Sequence, residues 1–571
     1  MIKTYQGPTL PISIEIDEMK YRQEGESHRE KCSRIGNALA DNRNHFEAWR
    51  EILLPQKFLP AGRVQSSVGS PRQTTAFNCF VSQTIEDSSK GIMQVADQAF
   101  QTMRLGGGIG YDFSTLRPRG DLIVSLDSKS SGPLSFMNIY NAICATVSSA
   151  GHRRGAQMGV MRVDHPDIEE FIEAKANETE FKQFNLSVGI TDEFMEAMLA
   201  GGSFDLKFSG RVYKRVDARY LWDKIMRATW DWAEPGVLYI DRINEMNNLW
   251  YCETIAATNP CGEQPLPPHG ACLLGSFNLV KYLLHDKSNG YKLDWEQFKA
   301  DIPIVVRAMD NVVDNTIYPL PEQEAEAKSK RRMGLGYTAL ANTGEALGFV
   351  YGSKEFLKFE DKVGRVLANE SYRASANLAA EKGSFPLFDK EKYLEGKFIK
   401  RLDKDVQELI ATNGIRNSHL LSIAPTGTIS LSADNVSSGC EPVFSYFFDR
   451  TIQTELGAKV ERVTDYGYRE LGVSGKRADE CTTDEHLNVL ITATKWVDSA
   501  VSKTLNVGEN VSWDEFKDIY VKAWKGKCKG CTTFRAAGKR YGILNSADED
   551  SGGEVATACY VDPSTGKKEC G

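Results

Sequence analysis

The chain has 571 residues, 41% of them hydrophobic and 26% charged, with a formal net charge of -8 at pH 7. This predicts a large globular core, and the acidic balance excludes a general nucleic-acid binder. No apolar run approaches a membrane span and the start, M-I-K-T-Y-Q-G-P-T-L, lacks the apolar core of a signal peptide, so the expectation is a cytoplasmic protein without a membrane partner.

Residues 1–55 read as a short helical entry segment, with Ile35, Leu39, Phe46, Trp49, Ile52 and Leu53 at helical spacing across one helix over 33–53. The apolar stretch Phe77-Asn78-Cys79-Phe80-Val81 predicts a strand with a buried thiol. Asp87-Ser88-Ser89 can cap the next helix, whose apolar set includes Ile92, Met93, Val95 and Phe100. That helix runs into Gly106-Gly107-Gly108-Ile109-Gly110, where the missing side chains let backbone approach a ligand or another strand. Two basic loops follow, one over 117–132 with Arg117 and Arg119, one over 150–155 with Arg153 and Arg154. They suit an anionic small ligand as well as solvated surface charge. His165-Pro166-Asp167-Ile168 opens a helix with proline at its first turn and Ile168, Phe171 and Ile172 inward, and His165 reads as a cap.

The most informative stretch is 258–279, T-N-P-C-G-E-Q-P-L-P-P-H-G-A-C-L-L-G-S-F-N-L. Asn259, Cys261 and Glu263 alternate, and in extended chain alternate side chains share a face, so an amide, a thiol and a carboxyl converge. Pro260 and Gly262 between them favour a tight loop over a paired strand. Beyond it, 295–318 and 356–381 read as amphipathic helices covering an α/β core, interrupted by a basic turn at 331–336. Ala424-Pro425-Thr426-Gly427-Thr428-Ile429-Ser430 offers hydroxyls and backbone N–H groups around a glycine, an anion nest or a plain capped turn. Cys440 beside Glu441 reads as scaffold. Cys528-Lys529-Gly530-Cys531 has the spacing of half a zinc site or a redox pair, with no second pair of matching spacing. Residues 545–571 are polar and glycine-rich yet carry Cys559 and Cys570, as a mobile tail delivering thiols to a pocket would.

These motifs, in this order, resemble the catalytic subunit of ribonucleotide reductase from about residue 58 to the end: Asn78-Cys79, the glycine run, R-P-R-G, H-R-R-G-A-Q-M-G, H-P-D-I, N-P-C-G-E, A-P-T-G-T-I-S and a cysteine-bearing tail. The resemblance implies a ten-stranded α/β barrel of two five-stranded halves over 56–544, a central finger loop carrying Cys261, and a redox tail over 545–571. It implies that a thiyl radical on Cys261 takes the 3′-hydrogen of a ribonucleotide. Glu263 would be the general base, Asn259 would hold the sugar, and Cys79 and Cys272 would supply electrons and end as a disulfide. Cys559 and Cys570 would exchange with that disulfide, themselves reduced by a thioredoxin- or glutaredoxin-like protein. Asn78 and Pro425, Thr426, Gly427, Thr428, Ile429 and Ser430 would bind a substrate taken as a ribonucleoside diphosphate. Asp87, Ser88, Arg117, Arg119, Arg153 and Arg154 would bind a deoxynucleoside triphosphate or ATP effector in a homodimer. The N-terminal segment is too short for an ATP-binding cone, which predicts no on/off control.

Two radical sources are compatible with the family: adenosylcobalamin, or a ferritin-like metal subunit relaying through tyrosines. The eleven-residue step from Cys261 to Cys272 and the run Cys531-Thr532-Thr533-Phe534-Arg535, without a tyrosine pair, favour adenosylcobalamin, although Tyr541 is nearby. A zinc-stabilised thiol oxidoreductase using Cys528, Cys531, Cys559 and Cys570 is the remaining alternative.

Overall fold

The computed structural model describes residues 6–149, 153–154, 156–176, 180–286, 288, 290–454, 457–535, 559–561 and 568–570. The entry segment is three helices, α1 (Pro11–Tyr21), α2 (His28–Leu39) and α3 (Arg43–Leu53). The single helix expected over 33–53 is split because the Asn42 side chain accepts the His45 N–H at 3.0 Å and starts a new helix. Asp17, fully buried on α1, ties the pair together through Arg22, His28 and Lys31.

Thirteen strands matter for the site. They are β1 (Phe58–Pro60), β2 (Cys79–Val81), β3 (Gly108–Asp112), β4 (Gln157–Arg162), β5 (Phe184–Ile190), β6 (Gly236–Tyr239), β7 (Ala257–Thr258), β8 (Pro265–Leu266), β9 (Ala271–Cys272), β10 (Leu274–Asn278), β11 (Gly334–Thr338), β12 (Thr504–Val507) and β13 (Gly530–Arg535). An eight-stranded sheet runs β9-β2-β3-β4-β5-β6-β13-β12, and a three-stranded sheet runs β1-β10-β11. From β2 to β6 every pairing is parallel, whereas β9 on β2 and β13 on β6 are antiparallel. The near-continuous burial of β4 and β5 is what parallel strands covered on both faces require.

Helices α4 (Ser89–Arg104), α5 (Trp295–Asp314) and α6 (Lys354–Lys382) cover these sheets. The sequence reading of the last two as amphipathic covers holds, with Phe298, Ile302, Val305 and Val306 of α5 and Phe356, Val363 and Leu367 of α6 in the larger core. The expected basic turn at 331–336 is instead a buried ion-paired corner leading straight into β11: Arg331 reaches Asp310 and Asp314, and Arg332 reaches Glu253. Pro166 precedes the helix Ile168–Glu173 rather than sitting in its first turn, while Ile168, Phe171 and Ile172 are buried as expected. Among the described residues no helix is long and apolar enough to cross a membrane.

Two large hydrophobic clusters pack around the sheets, and a small third one holds Cys79, Cys272, Val81, Met158, Val160, Ala257, Leu266 and Leu274. The glycine run at 106–110 serves backbone approach there. A Cβ on Gly110 would stand 1.9 Å from the Thr258 carbonyl oxygen, and one on Gly108 3.1 Å from Cγ of Pro260. Glycine on β3 lets β7 and the loop after it lie directly on the sheet.

Candidate active site

The stretch 257–266 is a short hairpin, Ala257 opposite Leu266 and Thr258 opposite Pro265. Asn259 closes it: its N–H donates to the Gln264 carbonyl at 3.1 Å and its Oδ1 accepts the Gln264 N–H at 2.9 Å. Its own carbonyl accepts from Gly262 N–H at 3.1 Å, with Gly262 in the left-handed region at φ +81°. The three functional side chains are therefore gathered by a turn, not by one face of an extended strand, because Pro260 and Gly262 cannot continue the ladder. Cys261 is exposed at the tip, while Asn259 and Glu263 are buried. From β5 the Asn185 side chain donates to the Pro260 carbonyl at 2.9 Å and steadies the tip.

Beside the hairpin, β9 lies antiparallel on β2 with Cys272 directly opposite Cys79. Burial pushes the Cys272 thiol well above its ordinary range, and its hydrogen bond with Cys79 and the charge of Glu263 push the same way. Cys272 is thus held as a thiol, close enough to Cys79 to interact, with a carboxylate in electrostatic range. Among the described residues Asn78 Oδ1 and Asn259 Nδ2 are buried without a hydrogen-bond partner, an acceptor and a donor left over. Such groups are uncommon in a settled interior, and a polar ligand would use both.

The expected phosphate turn forms the start of α7 (Gly427–Leu431), with Thr426 in the left-handed region at φ +54°. Its hydroxyls are divided. Thr426 and Ser430 turn inward to Thr338 Oγ1, at 3.0 and 2.7 Å, and Thr426 also accepts the Gly439 N–H at 2.8 Å. Pro425, Gly427 and Thr428 stay partly exposed and Ile429 is buried. The first-turn N–H groups of a helix have no intrahelical acceptor, so the anion-binding capacity here lies in backbone and Thr428 more than in Thr426 or Ser430.

The family model for the ribonucleotide reductase barrel domain matches residues 77–534, which contain every one of these groups. The chain belongs to the ribonucleotide reductase family. It is 35% identical over 536 residues to a vitamin B12-dependent ribonucleoside-diphosphate reductase of Mycobacterium tuberculosis strain CDC 1551, covering 89% of this chain and 74% of that protein. It is 32% identical over 540 residues to a protein of the same name from Thermoplasma acidophilum, covering 89% and 67% respectively.

In this ribonucleotide reductase chain the residues expected to bind an effector are each engaged with local partners. Ser88 caps α4, accepting the Gly91 N–H at 3.0 Å. Arg117 is clamped to Asp87, Nε to Oδ2 at 2.8 Å, and Arg119 pairs with Glu170 at 2.6 Å. Arg153 and Arg154 form a strand against Ser148 and Ser149, and residues 150–152 and 155 of that loop lie outside the described residues. His165 accepts the Asp167 N–H at 3.0 Å through Nδ1, and its Nε2 lies 2.9 Å from the Leu116 carbonyl, so it holds the turn before the helix instead of capping it: Asp167 is the N-cap, with no side-chain cap bond.

Cys440, Cys528 and Cys531 sit in scaffold. Cys440 is buried, its carbonyl accepting from Tyr351. Cys528 and Cys531 are buried in the second core, and burial pushes Cys528 up to about 12, a setting that suits neither ready metal binding nor exchange. Cys559 and Cys570 are register partners in a short antiparallel pair, and most of the expected tail, like Tyr541, lies outside the described residues.

Sequence reasoning missed the support behind the reductase loop. The Ala500 N–H and the Ser422 hydroxyl both donate to the Glu263 carbonyl, at 2.9 and 3.0 Å. Lys529, fully buried, donates to the carbonyls of Val497, Asp498 and Ser499 just before Ala500. A small cavity below is lined by Asn247, Arg332, His419, Asp498 and Lys529. The doubled arginine at 331–332 was the available signal, since two adjacent charges between a helix and an apolar strand need buried partners.

Proposed function

We propose that the chain reduces ribonucleotides to 2′-deoxyribonucleotides by thiyl-radical chemistry, with ribonucleoside diphosphates as substrate and adenosylcobalamin as radical source. The observation that carries the reading is the Cys79–Cys272 dithiol beside a loop that presents Cys261 at its tip and Glu263 beneath it. The names of the relatives, vitamin B12-dependent ribonucleoside-diphosphate reductases, favour the same substrate and cofactor.

The residues at the tip fit such a cofactor. Cys261 is exposed, and among the described residues nothing stands within 4 Å of where a Gly262 Cβ would be, which leaves room for a bulky group beside the thiol. On β13 Thr533 and Phe534 are no substitute for a tyrosine relay, and the Thr533 hydroxyl is hydrogen-bonded with Tyr520 at 2.8 Å. When bound, adenosylcobalamin supplies the organic radical that takes the hydrogen atom of the Cys261 thiol. The Cys261 sulfur radical removes the 3′-hydrogen of the ribose, Glu263 accepts the 3′-hydroxyl proton, and Asn259 Nδ2 donates to the sugar. The 2′-hydroxyl departs as water. Cys79 and Cys272 become a disulfide, one giving its proton to the departing hydroxyl and the other its hydrogen to C2′. Glu263 returns the proton to the 3′-oxygen, and Cys261 gives its hydrogen back to C3′ and is left again as the sulfur radical.

The pairing pattern supports the finer architecture, a barrel of two five-stranded parallel halves. Residues 271–278 span β9 and β10, so one continuous segment pairs with β2 and with β11. At the other end Leu335 bridges Leu421, Ile423 bridges Val501, and Val501 leads into β12. The ring then reads β2 to β6, β13, 501–507, 421–423, β11 and 271–278, the halves meeting antiparallel. The hairpin with Cys261 rises inside it. A homodimer, a deoxynucleotide effector at the Asp87–Arg117 edge, and rereduction through Cys559 and Cys570 by a thioredoxin-like protein complete the reading.

The test is an assay of the purified chain with a ribonucleoside diphosphate, a dithiol and adenosylcobalamin, and no second protein. Deoxynucleotide formation that a Cys261→Ser variant lacks supports the proposal. Turnover only after adding a ferritin-like metal subunit moves the radical source to that subunit and leaves the reaction in place.

A further inference from the structure

Ser13 and Gln56 lie ahead of the family-matched residues 77–534, yet their side chains end on the Leu431 and Ser432 carbonyls, at the far end of the helix that starts in the phosphate turn. We propose that Ser13 and Gln56 are positioning residues for substrate binding, holding α7 so that its opposite end receives the substrate phosphates. The proposal rests on the reading of residues 425–430 as the phosphate turn.

Helix α7 has five residues, too few to be stable alone, so its position is set by what grips its ends. Thr338 holds the leading end through Thr426 and one side of the last turn through Ser430. At the trailing end the carbonyls have no intrahelical donor. The Ser13 hydroxyl of α1 donates to the Leu431 carbonyl at 2.6 Å, and Gln56 Nε2 donates to the Ser432 carbonyl at 3.1 Å. Both side chains are buried, Ser13 wholly, so water cannot replace either bond without entering the interface.

The chain leaving α7 needs such support. Asp434 and Asn435 are consecutive non-glycine residues in the left-handed region, at φ +65° and +57°, a conformation held only by its surroundings. Asp434 repays the contact: its Oδ1 accepts the Thr9 and Leu10 N–H groups at 2.6 and 2.9 Å, and its Oδ2 accepts the Thr9 hydroxyl at 3.0 Å. The grip between the N-terminal segment and the chain around α7 is thus mutual and polar, buried at Ser13 and Gln56 and part-buried at Thr9 and Leu10. At about 1.5 Å of rise per residue, a five-residue helix transmits a shift at one end almost undiminished to the N–H groups at the other.

The full-length chain and its Ser13→Ala, Gln56→Met, Thr428→Asp and Ser27→Ala variants are titrated calorimetrically with a ribonucleoside diphosphate, and KM and kcat are measured alongside. Thr428→Asp puts a negative charge on the turn itself. Ser27→Ala removes the capping box of α2 in the same segment without touching α7. Loss of one buried hydrogen bond predicts a rise of about threefold to tenfold in Kd and KM for Ser13→Ala and for Gln56→Met, with kcat within about twofold and Ser27→Ala unchanged. If Thr428→Asp weakens binding and neither Ser13→Ala nor Gln56→Met does, the proposal falls and the phosphate turn stands. If Ser27→Ala weakens binding as much, the effect is general loosening and the proposal falls. If Thr428→Asp leaves binding unchanged, the phosphate turn and the proposal fall together.

Discussion

Cys79 and Cys272 stand directly opposite each other on the antiparallel pair of β2 and β9 and share a side-chain hydrogen bond, so they are placed to be oxidised together. Burial also keeps the Cys272 thiol protonated. Brief treatment with iodoacetamide at pH 8, followed by peptide mass spectrometry, is expected to label the exposed Cys261 and Cys252 first, with Cys79 and Cys272 following only after unfolding. Rapid labelling of Cys272 in the folded chain would contradict the buried-dithiol geometry.

Gly110 sets how closely the hairpin lies on β3. A Gly110→Ala substitution drives a methyl group into the Thr258 carbonyl, where contact would be 1.9 Å, and the hairpin has to lift. Overpacking of this kind destabilises by about 1–3 kcal/mol. Displacement of Cys261 by about 1 Å is expected to lower kcat roughly a hundredfold. Gly508→Ala, with nothing within 4 Å, is the neutral control. Equal activity in the two variants would mean that the loop is not held by this contact.

How much the sequence revealed differs with the range of the interaction. The hairpin residues Asn259, Cys261 and Glu263 were visible because the chemistry is local and the residue types are unusual together. The split at Asn42 was obscured because helical spacing continues across α2 and α3, and only the cap breaks it. The inward turn of Thr426 and Ser430 depended on Thr338, far away in the chain, and no pattern near 426 announces it. Arg332 read as part of a basic turn because its partner Glu253 is supplied by another element.

That last pair makes a prediction about acid. Burial alone would raise the Glu253 carboxyl, but Arg332 and Lys330 outweigh it and hold it below its ordinary value of 4.5. A lowered folded pKa contributes stability above the unfolded value and loses it as pH falls through the folded one. Glu253→Gln leaves Arg332 buried without its counter-charge and is expected to destabilise by about 3–5 kcal/mol at pH 7. It should also flatten the fall in melting temperature below about pH 4.5. An unchanged melting temperature at pH 7 would show the pair to be dispensable.

His28 predicts the opposite slope at alkaline pH. Burial pushes its imidazole down, but the hydrogen bond to Asp17 and the nearby Cys32 thiol outweigh this and bring it up to about 9 from 6.5, against the opposing charge of Lys31. A raised folded pKa contributes stability that is complete below 6.5 and disappears as pH rises through about 9. The shift corresponds to roughly 3 kcal/mol at most. Lys529 titrates against this trend. Its burial lowers it to about 7 from 10.5, so the unfolded chain binds more protons between those values and stability rises with pH. The two slopes overlap, and the difference between wild type and His28→Gln isolates the histidine. Unfolding in urea at pH 6, 7.5 and 9 should show His28→Gln less stable at pH 6 and the gap closing by pH 9. A gap that stays constant would mean that His28 contributes through packing against α1 and not through its charge.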